Sequence, residues 1–147
     1  MNKPAVYSLL AIDAVINHPS YGQHELSRQE NGGGQISIAY NSDMFNHTGT
    51  ASGYVVVNKL NGHSGSIQIE VAQNSPNDLW LRGFINWLDT ACPVANCADA
   101  TLTVKDNATG KMYTGTGVTP VKRPDRTMGE QAATMTCSFL CAYIVEN

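Results

Sequence analysis

Four cysteines are the side chains of this sequence whose type and spacing come nearest to metal or redox chemistry. Cys92 and Cys97 flank a short proline-containing segment, and Cys137 and Cys141 lie four residues apart near the last residue. Two such pairs are one pattern of a four-thiolate zinc site. Residues four apart in a β-strand, however, are separated by about 13 Å at about 3.3 Å per residue, which is too far for ligands of one zinc ion. The same distance excludes a disulfide between Cys137 and Cys141.

The sequence leaves three states of these thiols open. They could be free buried thiols, form disulfides within or between subunits, or, least in keeping with strand geometry, bind zinc. Synthesis in a cytosol favours reduced thiols, whereas a particle released from the cell could be oxidised later. The residues available for such disulfides are Cys92, Cys97, Cys137 and Cys141.

No other group of residues in the sequence indicates catalysis or a cofactor. Four histidines stand beside predicted turns, and we interpret them as exposed turn residues: His18, His24, His47 and His63. None forms a pair at the spacing of a helical metal-binding motif, and neither a nucleophile elbow nor a phosphate-binding loop occurs. The basic segment 122–126 is interpreted as a solvated turn or a charged subunit contact in preference to a phosphate site. We therefore expect a non-enzymatic protein without a cofactor or metal.

Composition bounds the partners that the chain can have. Its 147 residues fit a single domain, 1–147. Only 14% of them are charged, below the usual value of about a quarter, which fits equally a surface partly covered by sister subunits and a β-rich domain with many Thr, Ser, Asn and Gly residues. A formal net charge of -3 argues against a protein that grips DNA, although it suits the wall of a passage along which DNA slides.

The sequence shows no targeting signal. Its first residues lack the apolar run of a signal peptide, and no window is long and apolar enough to span a membrane. We therefore expect synthesis in a cytosol and no membrane partner.

One helix is predicted over residues 75–89, with signals for both its cap and its apolar face. Ser75 is expected at the N-cap, Pro76 at the first helical position and Asp78 at the end of a capping box. Apolar residues follow at helical spacing and would bury one side of the helix, most simply across a sheet. These flanking-helix core residues are Trp80, Leu81, Phe84, Ile85, Trp87 and Leu88.

The rest of the chain carries strand patterns separated by turn residues. Alternating apolar and polar residues predict half-buried strands, and the β-branched segment 54–57 predicts a buried one. Asn61-Gly62 is predicted to form a hairpin turn, 44–53 a polar loop, and 31–34 a flexible hinge or hairpin tip. The predicted strands are 7–16, which could also be a helix, 35–40, 54–57, 66–71, 101–105, 112–121 and 134–145. This order of elements indicates a mainly β fold, an antiparallel sandwich or barrel with one flanking α-helix.

The order of these segments resembles that of the tail tube proteins of tailed bacteriophages. In that family a strand and a short polar turn lead into a helix, as residues 66–79 do here. Further segments agree in order with family strands and connectors, over roughly residues 35–147. They are 43–45, 49–57, 102–106 and 121–124. The cysteines, and the lack of a tryptophan near Met135, depart from the family pattern.

The resemblance implies a structural protein of the virion tail. It implies a β-sandwich flanked by a helix and assembled as hexameric rings, which stack through loops and the N-terminal segment. Hairpins from each subunit would join one ring-wide β-barrel around a channel that passes genomic DNA without specific binding. Tail sheath, baseplate and tail-terminator proteins would be its partners, after assembly in the host cytoplasm. The residues expected in the shared-barrel strands are Ile36, Ile38, Tyr40, Ile67, Ile69 and Val71.

Two other functions fit parts of the same pattern. A tube subunit of a phage-derived contractile injection or secretion system would share the fold and differ in its cargo. A monomeric β-sandwich that binds a ligand would stay monomeric at all concentrations and contain a formed pocket. An enzyme, by contrast, would need a cluster of perturbed titratable groups in a cleft.

Overall fold

The computed structural model describes residues 4, 7, 11–26 and 32–147, and strands form most of its regular structure. The strands are β1 (Ile12–His18), β2 (Gly22–Glu25), β3 (Gly33–Tyr40), β4 (Phe45–Gly49), β5 (Val55–Lys59), β6 (Gly65–Ala72), β7 (Ala100–Asp106), β8 (Lys111–Pro120), β9 (Thr134–Cys141) and β10 (Tyr143–Glu146). Within these ranges one α-helix, α1 (Pro76–Thr90), follows β6, and a short 3-10 turn (Val94–Asn96) follows α1.

Eight strands form one continuous antiparallel sheet, and β4 and β5 form a separate hairpin. The strand order is β2-β1-β7-β8-β9-β6-β3, with β10 also paired to β8. The sheet changes partners along β8, because Thr116 pairs with β10 whereas Thr119 and Pro120 pair with β9. This arrangement is consistent with a β-sandwich, and the described residues do not close into a barrel. The predicted mainly β, antiparallel fold with one flanking helix is confirmed.

One cluster of buried side chains joins the sheet to α1. Strand alternation sends every second side chain of β6 inward, so Ile67, Ile69 and Val71 are buried while Gln68 is exposed. The alternation predicted for residues 66–71 is thus confirmed. Other members of the cluster include Ala14, Ile16, Leu81, Phe84, Leu102, Val104 and Phe139.

Gly117 and Ala142 mark the bend at which the sheet changes partners. Gly117 has a positive φ of 63°, a conformation that glycine adopts without steric cost. Ala142 interrupts the last strand, and its N–H donates to the Thr116 carbonyl at 2.9 Å. The single strand predicted over 134–145 is therefore wrong. β9 pairs with β6 and β10 pairs with β8, so the chain must turn between them.

Replacing Gly117 by alanine should destabilise the fold more than the same change at Gly110. Both glycines have a positive φ, 63° and 76°, which costs an alanine about 1–2 kcal/mol. At Gly117 the new Cβ would also lie 2.7 Å from the Ala142 Cβ, whereas at Gly110 it would meet nothing within 4 Å. Urea unfolding of both variants measures the difference. Equal losses of unfolding free energy would contradict the close approach at Gly117.

Hydrogen bonds at the start of α1 differ in one respect from the predicted capping box. The Ser75 hydroxyl accepts from the Asp78 N–H at 3.3 Å and donates to the Ala72 carbonyl at 2.6 Å. The Asp78 carboxylate accepts from the Asn74 N–H at 2.8 Å, one residue before the N–H that a capping box uses. The Ser75 N–H is already donated to the Ala72 carbonyl at 3.2 Å, which explains the shift.

The hairpin of β4 and β5 differs from its prediction in three ways. Residues 44–53, expected to be a polar loop, contain β4 and the turn after it. Val55, Val56 and Val57, expected in a buried strand, are exposed. Asn61-Gly62 is not a hairpin turn, because β5 pairs with β4 before it and not with β6 after it. The β-branched residues do form a strand, but no layer of the described fold covers it.

The remaining predicted strands and turns fit the structure where it describes them. β7 and β8 flank the turn predicted after residue 106. β1 begins at Ile12, and much of the earlier part of the predicted strand 7–16 lies outside the described residues. Residue 31 of the predicted hinge also lies outside them. Gly32 has a positive φ of 83°, and the register of β3 shifts between Gly33 and Ile36.

Candidate assembly surfaces

The hairpin of β4 and β5 exposes an apolar face that its own chain leaves uncovered. Directly opposite residues of an antiparallel pair share a face, which places Phe45, Val55 and Val57 on one side, together with His47 and Lys59. These three residues, the apolar hairpin face, are 52%, 52% and 58% exposed. A two-stranded hairpin is at best marginally stable alone in water, and an exposed apolar patch normally marks an interaction surface. The face therefore fits a contact with another molecule.

Polar residues on the opposite side of this hairpin bond to one another. Asn58 Nδ2 donates to Asn46 Oδ1 at 2.8 Å and to Thr48 Oγ1 at 3.0 Å. The turn is closed by the Thr50 N–H, which donates to the Tyr54 carbonyl at 2.9 Å. These bonds hold the shape of the hairpin without using its apolar side.

An apolar groove continues from the base of the hairpin to β10. It runs between the end of β3, the segment after β5 and the C-terminal strand. Its partly or largely exposed apolar residues are Tyr40, Met44, Leu60, Tyr143 and Val145. The groove and the apolar hairpin face meet at Phe45, so together they form one extended apolar surface.

The outward side of β3, β6 and β9 is polar and nearly uncharged. We call it the polar face. Its polar members are Gln35, Ser37, Ser66, Gln68, Glu70, Thr136 and Ser138, and Ala39 and Leu140 lie on the same side. In the strand register Gln68 lies between Ser37 and Ser138, and Glu70 is the one ionisable residue among the seven. Such a surface can bond water but has no cation with which to hold a polyanion.

The residues predicted for the shared-barrel strands mostly face away from the polar face. Ile67, Ile69 and Val71 are buried, the two isoleucines of β3 pack against the core, and Tyr40 lies 46% exposed in the apolar groove. The polar residues that alternate with them were not singled out, although the same period-two pattern identifies them. β3 is the outermost strand of its side of the sheet in the described ranges. An edge strand can pair with another chain.

α1 covers the sandwich with the apolar side that its sequence predicts. Its buried residues include Leu81, Phe84 and Ile85, and the partly buried ones include Trp80, Trp87 and Leu88. The Tyr21 ring centroid lies 5.4 Å from that of Trp80 and 5.3 Å from that of Trp87. These ring contacts fix the β1–β2 end of the sheet to the helix. No helix in the described ranges is long and apolar enough to cross a membrane.

His18 is buried and His24 is partly buried, so the interpretation of these two histidines as exposed turn residues is wrong. His18 is 1% exposed, and its Nδ1 accepts a backbone N–H at 3.1 Å. Its Nε2 therefore carries the proton donated to the Asn96 carbonyl at 2.8 Å. His24 Nε2 lies 2.7 Å from Asn77 Oδ1. Both rings lie on the paired strands β1 and β2 and pack against the aromatic side of α1. The other two, His47 and His63, are exposed.

The segment 121–133, which we call the arginine strap, is bound to α1 by ion pairs. Arg126 makes a bidentate pair with Asp78, at 2.9 and 3.1 Å, and Arg82 adds a contact at 3.3 Å. Asp78 is 1% exposed. Burial alone would raise the pKa of the Asp78 carboxyl, but hydrogen bonds from Arg126 and the Asn74 N–H, with the charges of both arginines, lower this pKa below its usual value.

A second arginine binds the strap further along the helix. Arg123 contacts the Asp89 carboxylate at 2.7 Å and also donates to the Asn86 side-chain oxygen. Both members of the ion pair with Asp89 are more than half exposed. The basic segment 122–126 is largely exposed, in agreement with its interpretation as a solvated turn, and Arg123 and Arg126 also bond within their own chain.

The four cysteines are free thiols of two kinds. Cys137 and Cys141 are each 2% exposed on the inward face of β9. Burial raises the pKa of Cys137 to about 11 and also raises that of Cys141. Cys92 and Cys97 are partly exposed after the end of α1. In the part of the chain that the structure describes, no three His, Cys, Asp or Glu side chains are grouped to hold a metal ion.

Several solved structures with this fold belong to contractile injection systems. A chain in the cryo-EM structure of the PVC extracellular contractile injection system, at its sheath/tube terminator in the extended state, gives a TM-score of 0.63 at 10% identity over 98% of both chains. A chain of the PVC sheath-tube complex gives 0.56 at 9%, covering 91% of this chain and 87% of that one. A chain of the anti-feeding prophage baseplate gives 0.61 at 12%, covering 100% and 97%. At these identities the likeness establishes the fold.

The family comparison covers nearly the whole sequence. No curated protein sequence matches the chain. The family model described as Bacteriophage PhiTE tail tube protein, however, matches residues 4–147. The match includes the hairpin, the polar face and α1. The chain therefore belongs to the phage tail tube family and is a structural component of a virion tail.

Proposed function

We propose that this protein forms hexameric rings that stack into the inner tube of a phage tail, and that genomic DNA passes along the channel without specific binding. The observation that carries the proposal is the apolar hairpin face, Phe45, Val55 and Val57, which projects from the sandwich and is more than half exposed. A monomeric binding module would bury these residues or line a pocket with them. A subunit that docks on its neighbours needs these three residues exposed on its surface.

The geometry of the apolar surface favours head-to-tail contacts. The hairpin of one subunit offers a projecting strand pair, whereas the groove near Tyr143 offers a recess. The projecting strand pair and the recess are unlike parts of the extended apolar surface, and contacts between unlike parts generate closed rings or open stacks, according to whether the rotation closes. A tube of stacked rings contains both: contacts that close within each ring, and contacts that stack one ring on the next.

The sheet supplies the channel in this proposal. Pairing of the β3 edge with an adjacent subunit would extend the sheet around the ring and remove an exposed edge. The core-facing residues of β3 and β6, Ile36 and Ile67 among them, would then lie behind the barrel wall, and the polar face would line the channel. Glu70 would form a ring of carboxylates there. Like charges prevent DNA from adhering, so the polymer can slide.

The same role implies partners and a location. We propose contacts with tail sheath, baseplate and tail-terminator proteins, assembly in the host cytoplasm, and no catalytic activity. The fold neighbours from a sheath-tube complex, a terminator and a baseplate support these partners. They also favour a second candidate, a tube of a phage-derived contractile injection system, which shares the fold and differs in its cargo. The family match over residues 4–147 supports the phage tail.

Electron microscopy of the purified protein at high concentration tests the proposal. Tubes or rings with sixfold symmetry, in which Gln68 and Glu70 face the channel, are the expected result. Rings of another symmetry would contradict the hexamer, and tubes with the polar face outward would contradict the channel assignment. Particles that stay small even when purified baseplates are added as nuclei would contradict ring formation.

A further inference from the structure

We propose that Cys92 and Cys97 form a disulfide within one chain under oxidising conditions, while Cys137 and Cys141 stay reduced. The observation that carries the proposal is a shared acceptor. Cys92 Sγ and Cys97 Sγ each donate to the Pro93 carbonyl oxygen at 3.4 Å. Both sulfur atoms therefore lie on the same side of one turn, next to a single oxygen atom.

Backbone bonds hold this turn in shape on both sides. The Cys92 N–H donates to the Trp87 carbonyl at 3.0 Å, which ties the first cysteine to the end of α1. The Asn96 N–H donates to the Pro93 carbonyl at 2.9 Å, and the Cys97 N–H donates to the Val94 carbonyl at 3.3 Å. The two cysteines are thus presented by a formed turn, so little ordering is needed before the bond closes.

The buried residue His18 fixes the turn to the sheet. Its Nε2 donates to the Asn96 carbonyl at 2.8 Å, immediately before Cys97, and its ring lies 4.9 Å from that of Trp87. The His18 side chain thus contacts Asn96, which precedes Cys97, and Trp87, whose carbonyl accepts the Cys92 N–H. Closing the disulfide would link two points that the fold already holds together, rather than pulling a loop away from the sandwich.

The two thiols also affect each other electrostatically. Desolvation, followed by hydrogen bonding to Cys97 and the proximity of that thiol, raises the pKa of Cys92 above its usual value. A thiol with a raised pKa is largely protonated at neutral pH, which slows attack on a disulfide. The pair should therefore stay reduced in a cytosol and oxidise faster as the pH rises.

Cys137 and Cys141 are excluded from the same chemistry by their position. Each is 2% exposed and lies inside the core cluster. They are four residues apart in β9, a separation of about 13 Å along a strand, beyond the reach of a disulfide. They provide matched reduced cysteines in the same molecule.

The oxidation is a pair of thiol–disulfide exchanges with a small disulfide such as oxidised glutathione. The thiolate of one cysteine attacks a glutathione sulfur, forms a mixed disulfide and releases one glutathione thiolate. The thiolate of the other cysteine then attacks the protein sulfur of the mixed disulfide and releases the second glutathione. Two electrons pass from the protein to the glutathione, and the two protons of the cysteine thiols pass to the released thiolates or to water.

Mass spectrometry of the oxidised full-length chain tests the pairing. The protein is incubated with oxidised glutathione, quenched in acid, unfolded, alkylated and digested with trypsin. Cleavage after Arg82 and Lys105 leaves both cysteines in one peptide, residues 83–105. We expect this peptide to lack two hydrogens and to resist alkylation until it is reduced, whereas Cys137 and Cys141 are alkylated throughout. The rate of closure should rise about tenfold per pH unit below the thiol pKa.

The variants Cys92→Ser and Cys97→Ser are the matched controls. Both positions are partly exposed, so the fold should survive. Each variant should leave its remaining cysteine alkylatable or joined to a single glutathione. Wild-type protein that keeps four alkylatable thiols, or non-reducing gels in which Cys92 or Cys97 cross-links two chains, would overturn the proposal. These readouts use the single chain, so they do not depend on whether it forms a tube.

Discussion

Replacing Val57 by aspartate should abolish ring and tube formation while the subunit stays folded. Val57 is 58% exposed on the apolar hairpin face, so the isolated chain loses little from the change. In a docked hairpin the same site would take a carboxylate out of water, at a cost of several kcal/mol that its neighbours on the face, His47 and Lys59, offset only in part. Because Val57 is 58% exposed in the free chain, a little over half of the roughly 1.5–3 kcal/mol gained on burying a whole valine would be lost as well. Each 1.4 kcal/mol of lost binding free energy weakens the contact about tenfold, and this loss occurs at every subunit of the assembly.

Sedimentation and electron microscopy of Val57→Asp measure this loss, and circular dichroism reports whether the sandwich is intact. The matched control is Thr48→Asp, which puts the same charge on the opposite, polar side of the hairpin. That variant should still assemble. Tubes formed by Val57→Asp at wild-type concentrations would refute the docking role of the apolar hairpin face. Loss of assembly in both variants would show that the contact is not specific to that face.

The elements that sequence predicts well are those whose signals are local. A serine cap, a proline at the first helical position and apolar residues at helical spacing all lie inside residues 75–89, and the structure has α1 at Pro76–Thr90. The alternation of β6 is equally local, since each side chain points to a face set by its parity. Such patterns need no knowledge of what the element packs against.

The sequence predictions are wrong where burial or strand pairing depends on residues that lie far away in the sequence. Val55 to Val57 have the composition of a buried strand, but burial depends on a layer that the described fold does not provide. Asn61-Gly62 suits a tight turn, yet the strands on either side pair elsewhere. His18 was wrongly predicted to be exposed for the same reason, because it is buried against Trp87 and Asn96, which lie far away in sequence.

The arginine strap was beyond sequence reasoning for a related reason. A basic cluster interrupted by an aspartate is compatible with solvent, a phosphate or another subunit. Only the fold shows that Arg126 reaches Asp78 across a separation of 48 residues. The polar face, in contrast, follows from the alternation predicted for residues 66–71, which places Gln68 and Glu70 on the face opposite the isoleucines.

Replacing Arg126 by methionine should cost about 3–5 kcal/mol of unfolding free energy, the usual penalty for removing one partner of a buried ion pair. Asp78 is 1% exposed, and without Arg126 its carboxylate keeps the Asn74 N–H at 2.8 Å but, of the two arginines, only the longer contact with Arg82 at 3.3 Å. Typical domains are stable by about 5–15 kcal/mol, so this single change removes a large part of the total. Urea unfolding measures the loss. The control Arg123→Met breaks an exposed pair with Asp89 and should cost about 1 kcal/mol or less.

The ion pair between Arg126 and Asp78 also makes the free energy of unfolding depend on pH, and its contribution decreases in acid. Because the folded-state pKa of Asp78 is lowered, its ionised form stabilises the fold fully above the unfolded value of about 3.9. That stabilisation is lost as the pH falls through the lower, folded pKa. In Asp78→Asn this component should be absent, so the pH dependence of stability below about pH 4 should be weaker than in the wild type. An Arg126→Met variant as stable as Arg123→Met, or an unchanged acid profile in Asp78→Asn, would show that the strap is held by packing and not by its buried charges.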